Sequence, residues 1–503
     1  MMLLSSFNSK KINKTLLVIS IACCNVVANA QSYTGYQSSP YSGIYAIVTN
    51  PADILNHRVR GDINLAGFSV AAGNNIVKFK YSQRNNDDGG ISYKNPITRP
   101  GKAFVNTDVF GPGVLIRLSD KNAIAITTRA RMMTNVNGID AAILNTSLPD
   151  TISNAFINHN LSLKDMTVAA HAWKEIGLTY SQEFAHNTYG VWKLGVGVKY
   201  LGGISAVLLH TRNLSYQLDT FYNAGAGRRE GIVNNTTGTI SLAYTKSIDS
   251  LTANDFKSFA NSSTSLGLDV GVTYEYRDEM QVYETKYNEQ TSNYVWKAGA
   301  SITDIGFIRY PKQQNKRIAA SFNGNSYLLD DLAPPPDSAD IYQMYNYYSK
   351  IFKVNTAPGT IAMQLPTTLH LSYDRYFNKW LGVHALFNMP LMFSKISYYD
   401  GNYNPVSVSI TPRAEISWAG LYLPVSYNSV WGTQVGLSLR LGPLVIGSAS
   451  LINTRFFKTK GTDAYFILRI PVFGYREYVN AIFKPSEPKF TKKQRRSLNC
   501  PSM

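Results

Sequence analysis

The chain has 503 residues, of which 44% are hydrophobic, 16% charged and 12% aromatic, with 33 Tyr, 36 Gly and a formal net charge of +17. Soluble proteins carry roughly a quarter charged residues, and helical membrane proteins show runs of about 20 apolar residues; beyond the N-terminal region this chain has neither. Recurrent Tyr, Ile, Val and Leu exclude a disordered polymer, which leaves a β-barrel in a membrane.

Residues 1–30 read as a secretory signal. Lys10, Lys11 and Lys14 form its basic start, Thr15 to Ala28 its apolar stretch, and Ala28-Asn29-Ala30 a small-x-small cleavage site, so Gln31 is the expected mature start. The apolar stretch is too short for a transmembrane anchor. Lipidation at Cys23 would want Leu where Ser20 stands. Cleavage leaves Cys500 alone, which permits neither an internal disulfide nor a multi-cysteine metal site. No cofactor is expected.

Residues 31–60 form a lead-in to the first strand. Asn50 suits a helix N-cap, Pro51 the first helical position and Asp53 the first turn, with Ala52 between them. The expectation is one or two helical turns at the periplasmic opening, either a plug or an ordinary lead-in.

From 61 to 475 the pattern has period two. In LGLDVGVTYEYR, Leu266, Leu268, Val270, Val272, Tyr274 and Tyr276 share one face, and Gly267, Asp269, Gly271, Thr273, Glu275 and Arg277 the other. Leu194, Val196, Val198 and Tyr200 oppose Lys193, Gly195, Gly197 and Lys199 in the same way, and Val435 to Leu441 repeats it. A soluble sandwich also alternates. Here the polar faces are mainly Gly, Ser and Thr, and aromatics at Tyr274, Tyr276, Tyr200 and Trp418 stand where a membrane girdle belongs. The fold class expected is all-β, a transmembrane antiparallel barrel. Strands fall near 61–70, 75–82, 112–118, 123–131, 171–181, 191–201, 207–218, 238–246, 265–277, 293–303, 316–323, 366–376, 380–389, 405–418, 432–441, 443–452 and 463–472. Closure with an even number and three weaker segments (61–82, 207–218, 316–323) suggest about 14, with 12 or 16 open.

One hairpin can be placed in register. Val114, Ile116, Leu118, Ile124, Ile126 and Thr128 face outward, which requires an odd-length loop around Ser119-Asp120-Lys121. Arg117, Arg129 and Arg131 then point inward together. Pairing with lumen carboxylates such as Asp269, Glu275 or Glu415 is favoured over a bound anion. Arg413 and Arg440 complete the set of lumen-lining candidates.

The long connections, near 83–110, 132–170, 278–292, 311–358 and 390–404, are expected mostly outside the cell. Two carry helical spacing. One is LPDTISNAFINHN; the other sets Ile341, Met344 and Tyr348 on one face, where an apolar ligand could bind or the helix could pack on the rim. Residues 476–503 form a basic tail, a solvated extension or a contact for anionic lipid or periplasmic polymer.

NPAD (Asn50 to Asp53), DINLAGFS (Asp62 to Ser69), GPGVLIRLSDKNAIAITTRAR (Gly111 to Arg131), LGLDVGVTYEY, GASITDIG (Gly299 to Gly306), TPRAEISW (Thr411 to Trp418) and RLGPLVIGS (Arg440 to Ser448) resemble a Bacteroidota outer-membrane family of unknown function. More distantly, an early Asn-Pro-Ala before a barrel is similar to the long-chain fatty-acid transporter (FadL-like) superfamily. The resemblance implies a monomeric outer-membrane barrel with an N-terminal plug, and supplies no ligand.

No HExxH, GxSxG, P-loop or dinucleotide motif occurs. His370, Ser372, His384 and Asn388 fall on adjacent lumen faces, a constellation that polar lumen residues produce by default. Scattered basic residues do not make a nucleic-acid surface. The expected function is a channel or transporter for a small or hydrophobic solute. The alternative is a non-transporting outer-membrane scaffold that holds a surface or secretion partner through its loops or tail, with a periplasmic or surface protein as the expected partner. Membrane lipid and lipopolysaccharide are the expected surroundings.

Overall fold

The computed structural model describes residues 33–55, 58–78, 92–93, 101–139, 160–163, 165–187, 189–223, 228–245, 255, 259, 263–277, 294–310, 316–328, 331–332, 347, 349–352, 354–356, 360–378, 380–391 and 402–472. The signal segment, the basic tail, and Ile341, Met344 and Tyr348 lie outside the described residues, as does most of LPDTISNAFINHN.

The described strands close into one antiparallel barrel of 14. In chain order they are β1 (Gly61–Asn74), β2 (Gly101–Phe110 and Gly113–Ser119), β3 (Asn122–Ile139), β4 (Thr167–His186) and β5 (Gly190–Asn223). Next come β6 (Arg228–Tyr244 and Ser263–Tyr276), β7 (Trp296–Tyr310 and Lys316–Leu328), β8 (Val354–Thr356, Ile361–Gln364 and Thr368–Tyr376), β9 (Leu381–Pro390) and β10 (Ser407–Glu415). The last are β11 (Ala419–Tyr422 and Val425–Asn428), β12 (Gly432–Val435 and Leu437–Leu441), β13 (Leu444–Ser448) and β14 (Gly461–Val472). β1 closes on β14, with Gly61 opposite Val472 and Gly73 opposite Gly461.

Alternation sorts the side chains as a membrane barrel requires. On β6, Leu268 and Val270 are 38% and 37% exposed, whereas Asp269 and Glu275 are 1% and 5%. Leu194, Val198, Leu371, Ile410, Leu439, Ile446 and Ile470 continue the outer apolar face around the circumference. In water such a belt would be an aggregation surface; in lipid it is the solvent-matched face. Among the described residues no helix is long and apolar enough to cross a membrane.

At one end five of the turns are short: 120–121, 187–189, 377–380, 416–418 and 442–443. Aromatic rings line this end from β4 to β8, with Trp192–Tyr274 centroids 4.8 Å apart, Tyr274–Trp296 5.4 Å and Trp296–Tyr373 6.1 Å. Long connections leave the other end, which matches short periplasmic turns and extracellular loops. β5 has 34 residues, far more than the 9–11 a crossing needs, so the wall rises beyond the membrane on the loop side.

The β2–β3 hairpin keeps the expected register, with Val114 opposite Ile126 and Ile116 opposite Ile124, and a bulge near the turn sets Ser119 opposite Asn122. Several expectations are corrected. Segment 207–218 continues β5 rather than forming a separate strand, which also puts Tyr200 mid-strand. The connection 83–110 contains the strand segment Gly101–Phe110. Segment 443–452 breaks at Ser448, and α1 (Leu451–Phe456) follows. The connection between Arg277 and Tyr294 joins β6 to β7 at the short-turn end, not among the loops.

If lipid covers this face, Val270→Arg destabilises the barrel by about 2–4 kcal/mol, whereas Leu441→Arg at the short-turn rim costs roughly 0–1 kcal/mol. Denaturant unfolding of the two variants from liposomes measures the difference.

Candidate functional site

The N-terminal segment lies inside the barrel. Residues 33–55 make two 3-10 turns, Gly43–Val48 and Pro51–Ile54. Tyr33, Tyr36 and Tyr45 pack with Phe110 of β2, Tyr422 of β11 and Tyr465 of β14; Tyr33 meets Tyr465 edge-on at 5.6 Å and Tyr36 meets Tyr422 at 5.8 Å. Burial pushes the Tyr36 and Tyr45 hydroxyls up, so both remain protonated donors. They use that role: Tyr45 donates to Asn64 Oδ1 (2.8 Å) and Tyr36 to the Tyr41 carbonyl (3.0 Å).

The second turn seats on the opposite wall. Asn50 caps it, its Oδ1 accepting from the Ala52 amide (3.0 Å), while its Nδ2 donates to Thr273 Oγ1 (3.0 Å). Asp53 accepts from Thr273 (2.9 Å) and Lys297 Nζ (2.9 Å). Ser181 donates to the Ala52 carbonyl (2.9 Å), and Lys193 to that of Leu55 (2.9 Å). Two wall glycines make the seat: a Cβ at Gly195 would collide with the Pro51–Ala52 backbone, and one at Gly271 with Asn50 and Pro51. All four lead-in residues singled out from the sequence, Asn50, Pro51, Ala52 and Asp53, are in this contact.

The eight lumen candidates all point inward, and each is partnered. Arg413 grips Asp374 with both terminal nitrogens (2.8 Å each) and reaches Glu415 with Nε (2.7 Å). Glu415 also accepts from Ser39 of the inner segment (2.5 Å), Tyr376 (2.7 Å) and Tyr422 (3.0 Å). Arg440 donates to the Ile416, Ser417 and Ala419 carbonyls (2.5 to 3.0 Å), closing the β10–β11 turn from within. Lys193 pairs with Glu275 (2.5 Å), and Lys199 with Asp269 (2.8 Å).

The three β2–β3 arginines do not gather. Arg117 sits at the rim on Asp120 of its own turn, because strand height separates it from the other two. Arg129 binds Asp108 and Glu175, and Arg131 binds Asp304 (2.7 Å). Their partners are therefore Asp108, Glu175 and Asp304, not Asp269, Glu275 or Glu415. Lys199 bridges the clusters, holding Asp269 and Asp304 (2.6 Å) together. Asp304 takes a positive φ of 58°, at a bulge that turns its amide onto Asp269 (2.7 Å).

Above the inner segment lies a cavity of about 70 Å³. Gln37 and Thr49 floor it; Arg129, Arg131, Lys199, Asp304 and His370 wall it; Asn404 and Pro405 of the β9–β10 connection roof it. Asn402 anchors that roof through the Met133 and Ala169 carbonyls (3.1 and 2.9 Å). Gln37 Oε1, Asn106 Oδ1 and Asn428 Nδ2 line the cavity without a hydrogen-bond partner among the described residues. Met133 also borders an apolar cluster nearer the loops: Trp173, Leu201, Ile308, Tyr310, Met363 and Leu365. In the His/Ser constellation, His370 bonds Thr303 (2.9 Å) and Asn388 (2.7 Å), while Ser372 donates to the Gly299 carbonyl (3.5 Å).

A family model matches residues 51–449, spanning the seat of the inner segment and the wall as far as β13. The chain belongs to this family of unknown function, DUF5723. No curated protein matches its sequence. Among solved structures, the P. putida toluene transporter TodX is similar at 10% identity, covering 86% of this chain and 95% of that one with a TM-score of 0.40. A Pseudomonas aeruginosa FadL homologue is similar at 11%, covering 88% and 97%, with a TM-score of 0.38.

Arg413 offers a direct test of the lumen network. Arg413→Met strands Asp374 and should destabilise the barrel by about 3–5 kcal/mol. Arg413→Lys should fall between that and wild type, because an ammonium cannot reproduce the forked contact. Denaturant midpoints in liposomes give the order.

Proposed function

We propose that this barrel passes a small solute across the outer membrane through a lumen that the N-terminal segment closes at rest. The observation that carries the reading is how the segment is held. Its backbone hydrogen bonds run within it, as from Gln37 N to Tyr33 O and from Asn50 N to Ala46 O. Apart from the Val272 and Asp108 carbonyls, which accept from Asn50 and Tyr33, the wall meets it through side chains, among them Ser181, Lys193, Thr273, Lys297 and Glu415. Such contacts can exchange for water without breaking the barrel's ladder. Behind the segment stand charged groups that would hydrate once it moved.

The cavity supports a small polar solute, since its walls are charged and the acceptors and donor that lack a partner among the described residues match hydroxyl or amide groups. The adjoining apolar cluster favours a second reading, a hydrophobic solute entering from the loop side. Lipid and lipopolysaccharide around the apolar belt, and export by a cleaved signal, belong to the same proposal.

The test is a lock and a wedge. In a cysteine-free background, Ala52→Cys with Ser181→Cys should cross-link the segment to β4, stop solute flux into proteoliposomes, and release it on reduction. Gly195→Leu fills the Ala52 seat and should raise flux at least severalfold. Polar and apolar solute panels separate the two classes. If neither wild type nor Gly195→Leu passes any solute, and a protein partner co-purifies, the scaffold reading replaces this one.

A further inference from the structure

The cavity above the inner segment is closed from the loop side by a strap that crosses the lumen. Residues 402–405 come from the β9–β10 connection, yet Asn402 is fixed to β3 and β4. Its Nδ2 donates to the Met133 carbonyl (3.1 Å), to the Ala169 carbonyl (2.9 Å) and to Asn135 Oδ1 (3.0 Å). Asn135 holds the next residue from both sides, accepting from the Tyr403 amide (3.1 Å) and donating to the Tyr403 carbonyl (3.1 Å). Asn404 returns to the near wall, where it donates to Thr368 Oγ1 on β8 (3.0 Å). With β5 to β8 standing between β4 and β9, this stretch crosses the mouth instead of following the wall. The cavity therefore lies between two closures, Gln37 and Thr49 below and Asn404 and Pro405 above.

Every charged residue that lines this enclosure is already in an ion pair. Arg129 Nε holds Asp108 (2.7 Å), and Arg129 also reaches Glu175 (3.4 Å). Arg131 holds Asp304 (2.7 Å), and Lys199 holds Asp304 (2.6 Å) and Asp269 (2.8 Å). His370 spends both ring nitrogens, on Thr303 and Asn388. An ionic ligand would have to leave one of these buried charges unpaired, so the site selects against ions. What the walls still offer is neutral. Gln37 Oε1, Asn106 Oδ1 and Asn428 Nδ2 have no partner among the described residues, and Gln37 and Asn428 are 7% and 1% exposed. The Asn428 amide has a fixed sense, because its Oδ1 accepts from the Val430 amide (2.9 Å) and leaves the N–H group over. Two acceptors and one donor are the complement of a primary carboxamide, which carries two N–H bonds and one carbonyl. Size agrees: a cavity of about 150 Å³ holds benzene, and this one, at about 70 Å³, suits a molecule about half as large.

We propose that this enclosure binds a neutral solute bearing a primary carboxamide, with Gln37 and Asn106 accepting its N–H groups and Asn428 donating to its carbonyl. The inference names the solute class of the transport reading and rests on that reading for its purpose. Gln37 belongs to the inner segment and Asn404 to the strap, so a bound amide lies against both closures of the lumen.

The experiment is saturation-transfer NMR on the full chain in dodecylmaltoside with acetamide, acetate and acetamidinium, which share a shape and differ in charge. A saturable signal from the acetamide methyl group, absent for both ions, is expected. Gln37→Met and Asn106→Leu keep the bulk and remove an acceptor; each should weaken acetamide binding about two- to tenfold. Asn428→Asp keeps the acceptor for the Val430 amide, removes the donor, and should weaken binding in the same direction. Heat-modifiable gel migration verifies that each variant is folded. Equal saturation by either ion, or acetamide binding unchanged in all of these variants, overturns the assignment. So does the lack of any saturable acetamide signal, which would leave a cavity that holds water only. Binding is read without flux, so the two readings fail separately. A barrel that passes solutes and holds no acetamide loses this site and keeps transport; one that binds acetamide and passes nothing, even as Gly195→Leu, keeps the site and loses transport.

Discussion

A closed barrel in lipid must turn its charged side chains toward its axis, and charges turned there must find partners or water. This single requirement organises the interior. Arg469 with Asp62, Arg129 with Asp108, and Lys193 with Glu275 pair across neighbouring strands, while Arg413 reaches past β9 to Asp374 and along its own strand to Glu415. Each removes a charge that would otherwise demand a water-filled pore. The inner segment supplies further partners, with Ser39 on Glu415 and Asp53 on Lys297. Wall and segment therefore solve one electrostatic problem together.

Shape follows the same division of labour. Around the Tyr33, Tyr36 and Tyr45 cluster the wall answers with large rings. Around Asn50 to Asp53 it answers with no side chain at all, at Gly195 and Gly271. One end is gripped by aromatic area and the other by hydrogen bonds in a cleared seat. Apolar grip is non-directional, whereas the polar contacts around Asn50 fix a position and an orientation.

Much of the architecture was legible in the sequence because a membrane strand encodes its two faces in alternate residues. The β6 repeat from Leu266 to Tyr276 was sorted into its two faces from that alone, and the β2–β3 hairpin was placed in register with the help of its turn. The lumen glycines were visible as well, but nothing local to LGVGVKY says that Gly195 clears room for Ala52. Ion-pair partners were misassigned for a related reason. Arg131 and Asp304 lie far apart in sequence, and period two gives a residue's face but not its height. Arg117 shares the face of Arg129 and sits at the rim. The break at Ser448 escaped notice because LVIGSASLIN reads as a continuous apolar strand; the side chain of Asn453 makes the helix workable by bonding the β12 edge.

The closing seam has a consequence for biogenesis. Asp62 belongs to the first strand and Arg469 to the last, and the pair is completed by the Ile44 amide on the carboxylate (2.9 Å) and the Tyr41 carbonyl on the guanidinium. First strand, last strand and inner segment therefore meet at one buried junction. A nascent barrel that lacks its final strand has an orphaned aspartate and an inner segment with nothing to hold it. Insertion machinery that samples the edges of an unfinished sheet would meet an incomplete ion pair until translocation is over, so the molecule carries its own check on completeness.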